Sequence, residues 1–157
     1  MGDHTESLQV DFAPSDISFG QIAQLFWKSH NPCGRQFSRQ YMSAIWYHDS
    51  DQQQTLLKQR DELQKSNGAL TTPVEQFKTF YVAEDYHQKY RLQSYSEAMQ
   101  KFETWYPDFA DFNNSTSAAR LNGLIRSGIG MAQNSILLKE AGQYGFDQDE
   151  LNRLIHG

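Results

Sequence analysis

The sequence has few cysteines, few basic residues and no long apolar stretch. Its 157 residues include one cysteine, Cys33, so an internal disulfide bond is excluded. The net charge of -5 at pH 7 argues against general nucleic-acid binding, which requires a basic surface. No apolar run approaches the roughly 20 residues of a membrane-spanning helix, and the first residues lack the pattern of a signal peptide. These features predict a protein of a reducing, cytoplasmic compartment, with no nucleic-acid or membrane partner.

The sequence does not predict a metal site either. Its five histidines lack the spacing of metal ligands. His-Thr-Glu at residues 4–6 and Pro-Cys at residues 32–33 are weakly similar to a zinc deaminase signature, but that signature requires a second cysteine. We therefore expect neither a metal ion nor a bound cofactor.

The apolar pattern of the first 80 residues alternates between strand and helix, which predicts an α+β domain. Ser18 with Gln21 and Ser50 with Gln53 have the spacing of capping boxes at helix starts. The predicted elements are a strand at Leu8–Phe12, a helix burying Ile22, Leu25 and Phe26, a strand at Tyr41–Tyr47, a helix from Ser50 to Asn67, and an edge strand or loop at Leu70–Thr79.

The remainder is predicted to be helical and begins with an unusual aromatic segment, Phe80–Tyr90. If Asp85 begins a helix, Tyr86 and Tyr90 lie on one face and present two hydroxyl groups to a polar ligand. Further predicted features are apolar positions at Tyr95, Met99 and Phe102, a break at Pro107, helices at Ala118–Ser127 and Met131–Ala141, and a last helix capped by Asp147 and Glu150.

Four segments together are similar to the peptide methionine sulfoxide reductase A family, and most of all to its animal members. They are Gly-Asp-His-Thr-Glu at residues 2–6 and the segments at residues 17–32, 39–45 and 80–90. The resemblance covers residues 1–93 and implies part of a ferredoxin-like two-layer α+β sandwich. Residues 94–157 then form a helical C-terminal extension.

The resemblance implies reduction of methionine S-sulfoxide in oxidised proteins. In the family a cysteine thiolate attacks the sulfur, and thioredoxin or another thiol restores the cysteine. The acid that matches by motif is Glu6, and the two tyrosines are Tyr41 and Tyr90. Such donors suit the sulfoxide oxygen, on which negative charge develops. Glu6 must keep a proton to donate it, which requires a pocket that excludes water.

The sequence departs from the family pattern at the nucleophile. The family's Gly-Cys-Phe-Trp motif and its resolving cysteines do not occur in the 157 residues, and the loop before Gln40 reads Gln-Phe-Ser-Arg. We therefore expect an N-terminally truncated isoform that is nearly inactive by itself, or alternatively a non-catalytic module that binds oxidised methionine. Cys33 is a further candidate nucleophile, favoured by His30 and Arg35 but disfavoured by the preceding helix C-terminus.

Overall fold

The computed structural model describes residues 4–36, 38–125 and 145–156. The chain divides into two compact units, Met1–Phe80 and Tyr81–Gly157. The coarse prediction of a mixed α/β chain is confirmed, since the described residues are mostly helical and include a small parallel sheet. The domain boundary expected between residues 93 and 94 stays a prediction about the extent of the family domain.

The first unit contains a strand–helix–strand arrangement. Strands β1 (Ile45–Tyr47) and β2 (Val74–Gln76) pair in parallel, with Ile45 opposite Val74. Parallel neighbours require a long connection, and helix α2 (Ser50–Asn67) provides it. Helix α2 ends where predicted, because Gly68 adopts a φ of 82° that L side chains rarely adopt.

Helix α1 (Phe19–Lys28) begins at the predicted capping box and packs against α2. The Ser18 hydroxyl accepts a hydrogen bond from the Gln21 backbone N–H at 3.3 Å, and the Gln21 side chain accepts one from the Ser18 N–H at 2.9 Å. The buried face was predicted wrongly in part. Ala23 and Trp27 are buried, whereas Leu25 is 62 % exposed, because the side of α1 that meets α2 is rotated from the expected one.

Three other local predictions for this unit are wrong. Residues 8–12 form no strand, and Leu8 is 85 % exposed. Alternation supplies an apolar face, but a strand also needs a neighbour for its backbone hydrogen bonds. The strand expected over Tyr41–Tyr47 is shorter than predicted and consists of β1 alone. The cap of α2 is Asp49, whose carboxylate accepts from the Gln52 N–H at 2.8 Å, in place of the predicted Ser50.

The second unit is helical in its described part and has its own core. A single 3-10 turn at Asp85–His87 precedes helices α3 (Tyr90–Gln93), α4 (Ser96–Trp105), α5 (Phe109–Asn114), α6 (Thr116–Leu124) and α7 (Gln148–His156). Twelve buried residues form one apolar cluster: Leu92, Ala98, Phe102, Phe112, Ala118, Leu121, Leu124, Ile125, Phe146, Leu151, Leu154 and Ile155.

Several predictions for the second unit are confirmed. Helix α4 ends at Trp105, two residues before Pro107, and the expected helix near Ala118 is α6. Asp147 and Glu150 cap α7 reciprocally, since each backbone N–H donates to the other residue's carboxylate at 2.8 Å. The helix predicted at Met131–Ala141 lies outside the described residues.

The expectation of one helix through Asp85 and Tyr90 is wrong. Lys89 has a left-handed backbone, with φ 47° and ψ 40°, and separates the 3-10 turn from α3. A left-handed residue reverses the local path of the chain and cannot continue a right-handed helix. Tyr86 and Tyr90 therefore do not lie one turn apart on a shared helical face.

Candidate functional site

Glu6 lies beside the segment that carries Tyr41, although 34 residues separate Glu6 from Gln40. The Glu6 backbone N–H donates to the Gln40 carbonyl oxygen at 2.9 Å, and the Gln40 side-chain amide donates to Glu6 Oε1 at 3.0 Å. The Thr5 hydroxyl also donates to the Arg39 carbonyl oxygen at 2.9 Å. Residues 5–6 are thus fixed against residues 39–40, next to Tyr41.

This part of the candidate site is open to solvent. Glu6 is exposed, and Tyr41 is 69 % exposed. The pocket expected to exclude water from the Glu6 carboxyl group is not formed by the described residues of this unit, and it stays a prediction for the complete site. The amide of Gln40 nevertheless holds one carboxyl oxygen in a fixed position, because it donates to that oxygen while the backbone of Glu6 is also bound. The other carboxyl oxygen does not take part in this contact.

Tyr90 belongs to the second unit and begins helix α3. Its side chain is 70 % exposed, so its hydroxyl group is accessible to a ligand. Tyr86 in the preceding turn is 61 % exposed and lies 4.1 Å from the His87 ring, measured between ring centroids. The structure therefore brings Glu6 and the Tyr41 segment together in one unit and presents Tyr90 at the surface of the other.

A comparison of the sequence with known families decides which family these residues represent. Residues 1–119 match the family described as peptide methionine sulfoxide reductase. The chain belongs to this family. The matched range includes Glu6, Tyr41 and Tyr90, and it extends through α4 and α5 into α6.

Individual members of the reductase family show moderate identity to the chain. A peptide methionine sulfoxide reductase of Drosophila melanogaster is 37% identical over 133 residues, which cover 83% of this chain and 52% of the relative. An enzyme of the same name with the suffix MsrA, from Methanococcoides burtonii, is 36% identical over 95 residues, covering 55% of this chain and 62% of the relative. A mitochondrial member from Mus musculus is 35% identical over 97 residues, covering 55% and 42%. The chain thus spans about half the length of the curated relatives it matches.

Members of this family use thiol chemistry, which makes the surroundings of Cys33 relevant. Cys33 is half-buried; its N–H donates to the Asn31 side chain at 3.0 Å, and its thiol lies 3.5 Å from the Asn67 carbonyl oxygen. The neighbouring His30 is engaged elsewhere. Its Nδ1 donates to the Phe26 carbonyl oxygen at 3.0 Å, and its Nε2 lies 2.9 Å from the Thr72 hydroxyl group.

These contacts give His30 a structural role. A carbonyl oxygen can only accept, so Nδ1 of His30 carries a proton and Nε2 is occupied by Thr72, which is 4 % exposed. The sequence-based idea that His30 activates Cys33 gains no support from these bonds. The Cys33 thiol instead directs its proton toward a carbonyl oxygen at the end of α2.

Two residues of interest were missed by reasoning from the sequence. No local pattern marks Gln40, because its bond to Glu6 depends on a contact between distant segments. The sequence gives no sign of the left-handed backbone at Lys89, because lysine seldom adopts a positive φ.

In the described part of the chain no helix is long and apolar enough to cross a membrane.

Proposed function

We propose that this chain carries the acid and tyrosine part of a site that reduces methionine S-sulfoxide in oxidised proteins. Glu6 is the proton donor, and Tyr41 and Tyr90 bind the sulfoxide oxygen. The observation that supports the proposal most is the pair of hydrogen bonds between Glu6 and Gln40, the residue that precedes Tyr41. Membership of the peptide methionine sulfoxide reductase family supports the assignment of substrate class.

The proposed chemistry needs donors at the oxygen and a thiolate at the sulfur. The thiolate attacks the sulfoxide sulfur, the S–O bond breaks, and the oxygen passes to the cysteine as a sulfenic acid while Glu6 supplies one proton. Methionine leaves in the reduced form. Two thiols, from thioredoxin or a small dithiol, then reduce the sulfenic acid and release water. Hydrogen bonds from Tyr41 and Tyr90 stabilise the charge that develops on the oxygen.

The nucleophile is the part of the site that residues 1–157 do not supply, since Gly-Cys-Phe-Trp is absent from them and Cys33 is held in a loop. We propose that the thiol belongs to sequence outside these residues. The chain by itself should reduce a dabsylated methionine sulfoxide peptide no faster than buffer containing dithiothreitol does. Turnover at rates typical of an intact enzyme, about 1 s⁻¹ or more, would contradict this proposal. Cys33→Ser should leave the rate unchanged.

Binding of a methionine S-sulfoxide peptide tests the assigned residues without requiring turnover. Glu6→Leu, Tyr41→Phe and Tyr90→Phe each remove the polar group while keeping a side chain of similar size. Each should weaken binding about three- to tenfold, which corresponds to one lost hydrogen bond. The matched control is Tyr86→Phe, because Tyr86 is similarly exposed but matches no assigned position. Equal affinities in all five proteins would exclude this site.

A second candidate function is recognition of oxidised methionine without reduction. It is favoured by the exposed rings of Tyr41 and Tyr90 and by the contact of the Cys33 thiol with the Asn67 carbonyl oxygen. Mass spectrometry of the peptide after incubation with a dithiol separates the two functions, because only the reductase removes oxygen.

For the complete domain we also propose a ferredoxin-like sandwich, thioredoxin as the reductant and a cytoplasmic location.

A further inference from the structure

Tyr90 is exposed, yet the chain on both sides of it is anchored to the helices that follow. Lys89 Nζ donates to the side-chain oxygen of Asn113 at 3.2 Å. The backbone N–H of Leu92 donates to the side-chain oxygen of Asn122 at 3.1 Å, and the Leu92 side chain is fully buried. Asn113 therefore holds the residue before Tyr90, and Asn122 holds the second residue after it, while Tyr90 itself is 70 % exposed.

Asn113 supports a residue whose backbone is unfavourable by itself. The φ of 47° at Lys89 lies in the left-handed region, which a lysine occupies only when its surroundings require it. Burial lowers the pKa of the Lys89 ammonium group, so that group needs a partner in the folded chain. The Asn113 oxygen is such a partner, and the strained turn directs the next residue, Tyr90, outward.

Further hydrogen bonds hold the chain around Tyr90 in place and do not involve the Tyr90 ring. The guanidinium Nη1 of Arg91 donates to the Ile125 carbonyl oxygen at 2.8 Å. The Gln93 side-chain amide donates to the Asp85 carbonyl oxygen at 2.6 Å and also to that of Gln88. The turn before Tyr90 and the helix after it are thus tied to each other and to the end of α6.

We propose that Asn113 and Asn122 are positioning residues that hold the Tyr90 hydroxyl group where a ligand can use it. The helices beyond residue 93 then serve as a scaffold for one wall of the site. This inference deepens the proposed function and rests on it, because the proposed function assigns Tyr90 to bind the sulfoxide oxygen. In this proposal Asn113 acts through the side chain of Lys89 and Asn122 through the backbone of Leu92, and neither asparagine binds the substrate itself.

The first test measures the order of Tyr90 and needs no ligand. Asn113→Ala and Asn122→Ala are compared with the wild-type chain by NMR, using selectively labelled tyrosine and amide hydrogen exchange. We expect increased motion of Tyr90 in both variants, and exchange of the Leu92 amide about tenfold faster in Asn122→Ala, as for one lost hydrogen bond. Asn114→Ala is the matched control, since Asn114 is exposed on the same helix as Asn113.

The conservative variants separate the lost hydrogen bond from other damage. Asn113→Asp and Asn122→Asp keep an acceptor oxygen at the same position, so both should restore the order of Tyr90. Unchanged order of Tyr90 in both alanine variants would overturn the proposal. Failure of both aspartate variants to restore the order would also count against it.

The second test asks whether the asparagines act through Tyr90, with a methionine S-sulfoxide peptide as probe. In the wild-type background each alanine variant should weaken binding about three- to tenfold. In the Tyr90→Phe background the same substitution should cause no further loss, because the positioned hydroxyl group is already gone. An equal loss in both backgrounds indicates a merely structural role and overturns the proposal.

The two tests distinguish failure of this proposal from failure of the proposed function. If the wild-type chain does not bind the peptide, the assignment of a sulfoxide site fails. The NMR comparison still decides whether Asn113 and Asn122 hold Tyr90. If the peptide binds and Tyr90 is equally ordered in every variant, the sulfoxide site stands and the positioning role is excluded.

Discussion

The unit Met1–Phe80 and the unit Tyr81–Gly157 bury their apolar residues to different extents. In the described part of the first unit, the nearly fully buried apolar residues are Ala23, Trp27 and Leu56. The described part of the second unit contains the twelve-residue apolar cluster around Phe102. Long-range polar contacts also join segments of the first unit, such as Gln59 Nε2 donating to the Gly20 carbonyl oxygen at 2.9 Å.

In both units the residues that stabilise the fold differ from the tyrosines proposed to bind the ligand. In both units the tyrosines that match the family motif lie outside the buried core: Tyr41 is 69 % exposed and Tyr90 is 70 % exposed. Hydrogen bonds of neighbouring residues, Gln40 in one unit and Lys89 in the other, hold their segments. Substitutions in either core should therefore change folding before they change the chemistry of these rings.

The largest expected effect comes from the centre of the second core. Phe102 is fully buried, with Phe112 and Phe146 around it at centroid distances of 5.6 and 6.1 Å. Phe102→Ala should lower the free energy of unfolding of this unit by about 3–5 kcal/mol, through lost burial and a residual cavity. Urea unfolding followed by ¹⁹F-labelled tryptophan measures it, since Trp105 reports the second unit. A loss below about 1 kcal/mol would show that this core is not close-packed.

A smaller effect is expected for the sparser core. Leu56 is fully buried in the first unit, but few other apolar residues there are. Leu56→Ala should cost about 2–3 kcal/mol, the low end for this substitution, because a loosely enclosed site can relax around the deletion. The ¹⁹F signal of Trp27 reports this transition. A loss larger than that of Phe102→Ala would reverse the comparison.

The helix caps should contribute similarly in both units. Ser18 caps α1, and Asp147 caps α7. Ser18→Ala and Asp147→Ala should each cost about 1 kcal/mol, since each leaves a helix N–H without its side-chain acceptor. Urea unfolding of the two variants, with Thr116→Ala as an exposed control that has no capping role, measures the difference. An effect confined to one unit would show that the two caps are not equivalent.

The smallest predicted effect is a pH dependence specific to the second unit. Hydrogen bonds from Lys101 and from the Asp147 backbone lower the pKa of Glu150. A lowered carboxyl pKa stabilises the folded state above the ordinary value of about 4.3, and this contribution is lost as the pH falls through the lowered pKa. Glu150→Gln should therefore reduce the loss of thermal stability between neutral and acid pH. Glu103→Gln, in an exposed position on α4, should leave the pH profile unchanged.

Local patterns predicted most of the local structure, and the larger errors came from contacts between distant segments. The boxes at Ser18 and Asp147 each depend on residues three apart, and both are confirmed. The alternation at Leu8–Phe12 predicts a strand, but pairing depends on a neighbouring segment. The shift of the α2 cap from Ser50 to Asp49 is a one-residue error of the kind that helix ends commonly give.

The candidate site shows the same division. The motifs identified Glu6, Tyr41 and Tyr90 as residues worth examining, and the family match supports the resemblance that singled them out. Their surroundings could not be predicted, because the Gln40 contact to Glu6 and the Asn113 contact to Lys89 join residues far apart in sequence. The left-handed backbone at Lys89 depends on such contacts too, and lysine gives no local signal for it.

The most direct measurement of the central claim is a calorimetric titration of the chain with two peptides that differ only in the sulfoxide epimer. The account predicts tighter binding of the S-epimer by about tenfold or more, because the proposal assigns Glu6, Tyr41 and Tyr90 as donors to the oxygen of that epimer. Glu6→Leu should reduce that preference, because it removes one proposed donor. Equal affinity for the S- and R-epimers, or no binding of either, would contradict the claim that these residues form a sulfoxide site.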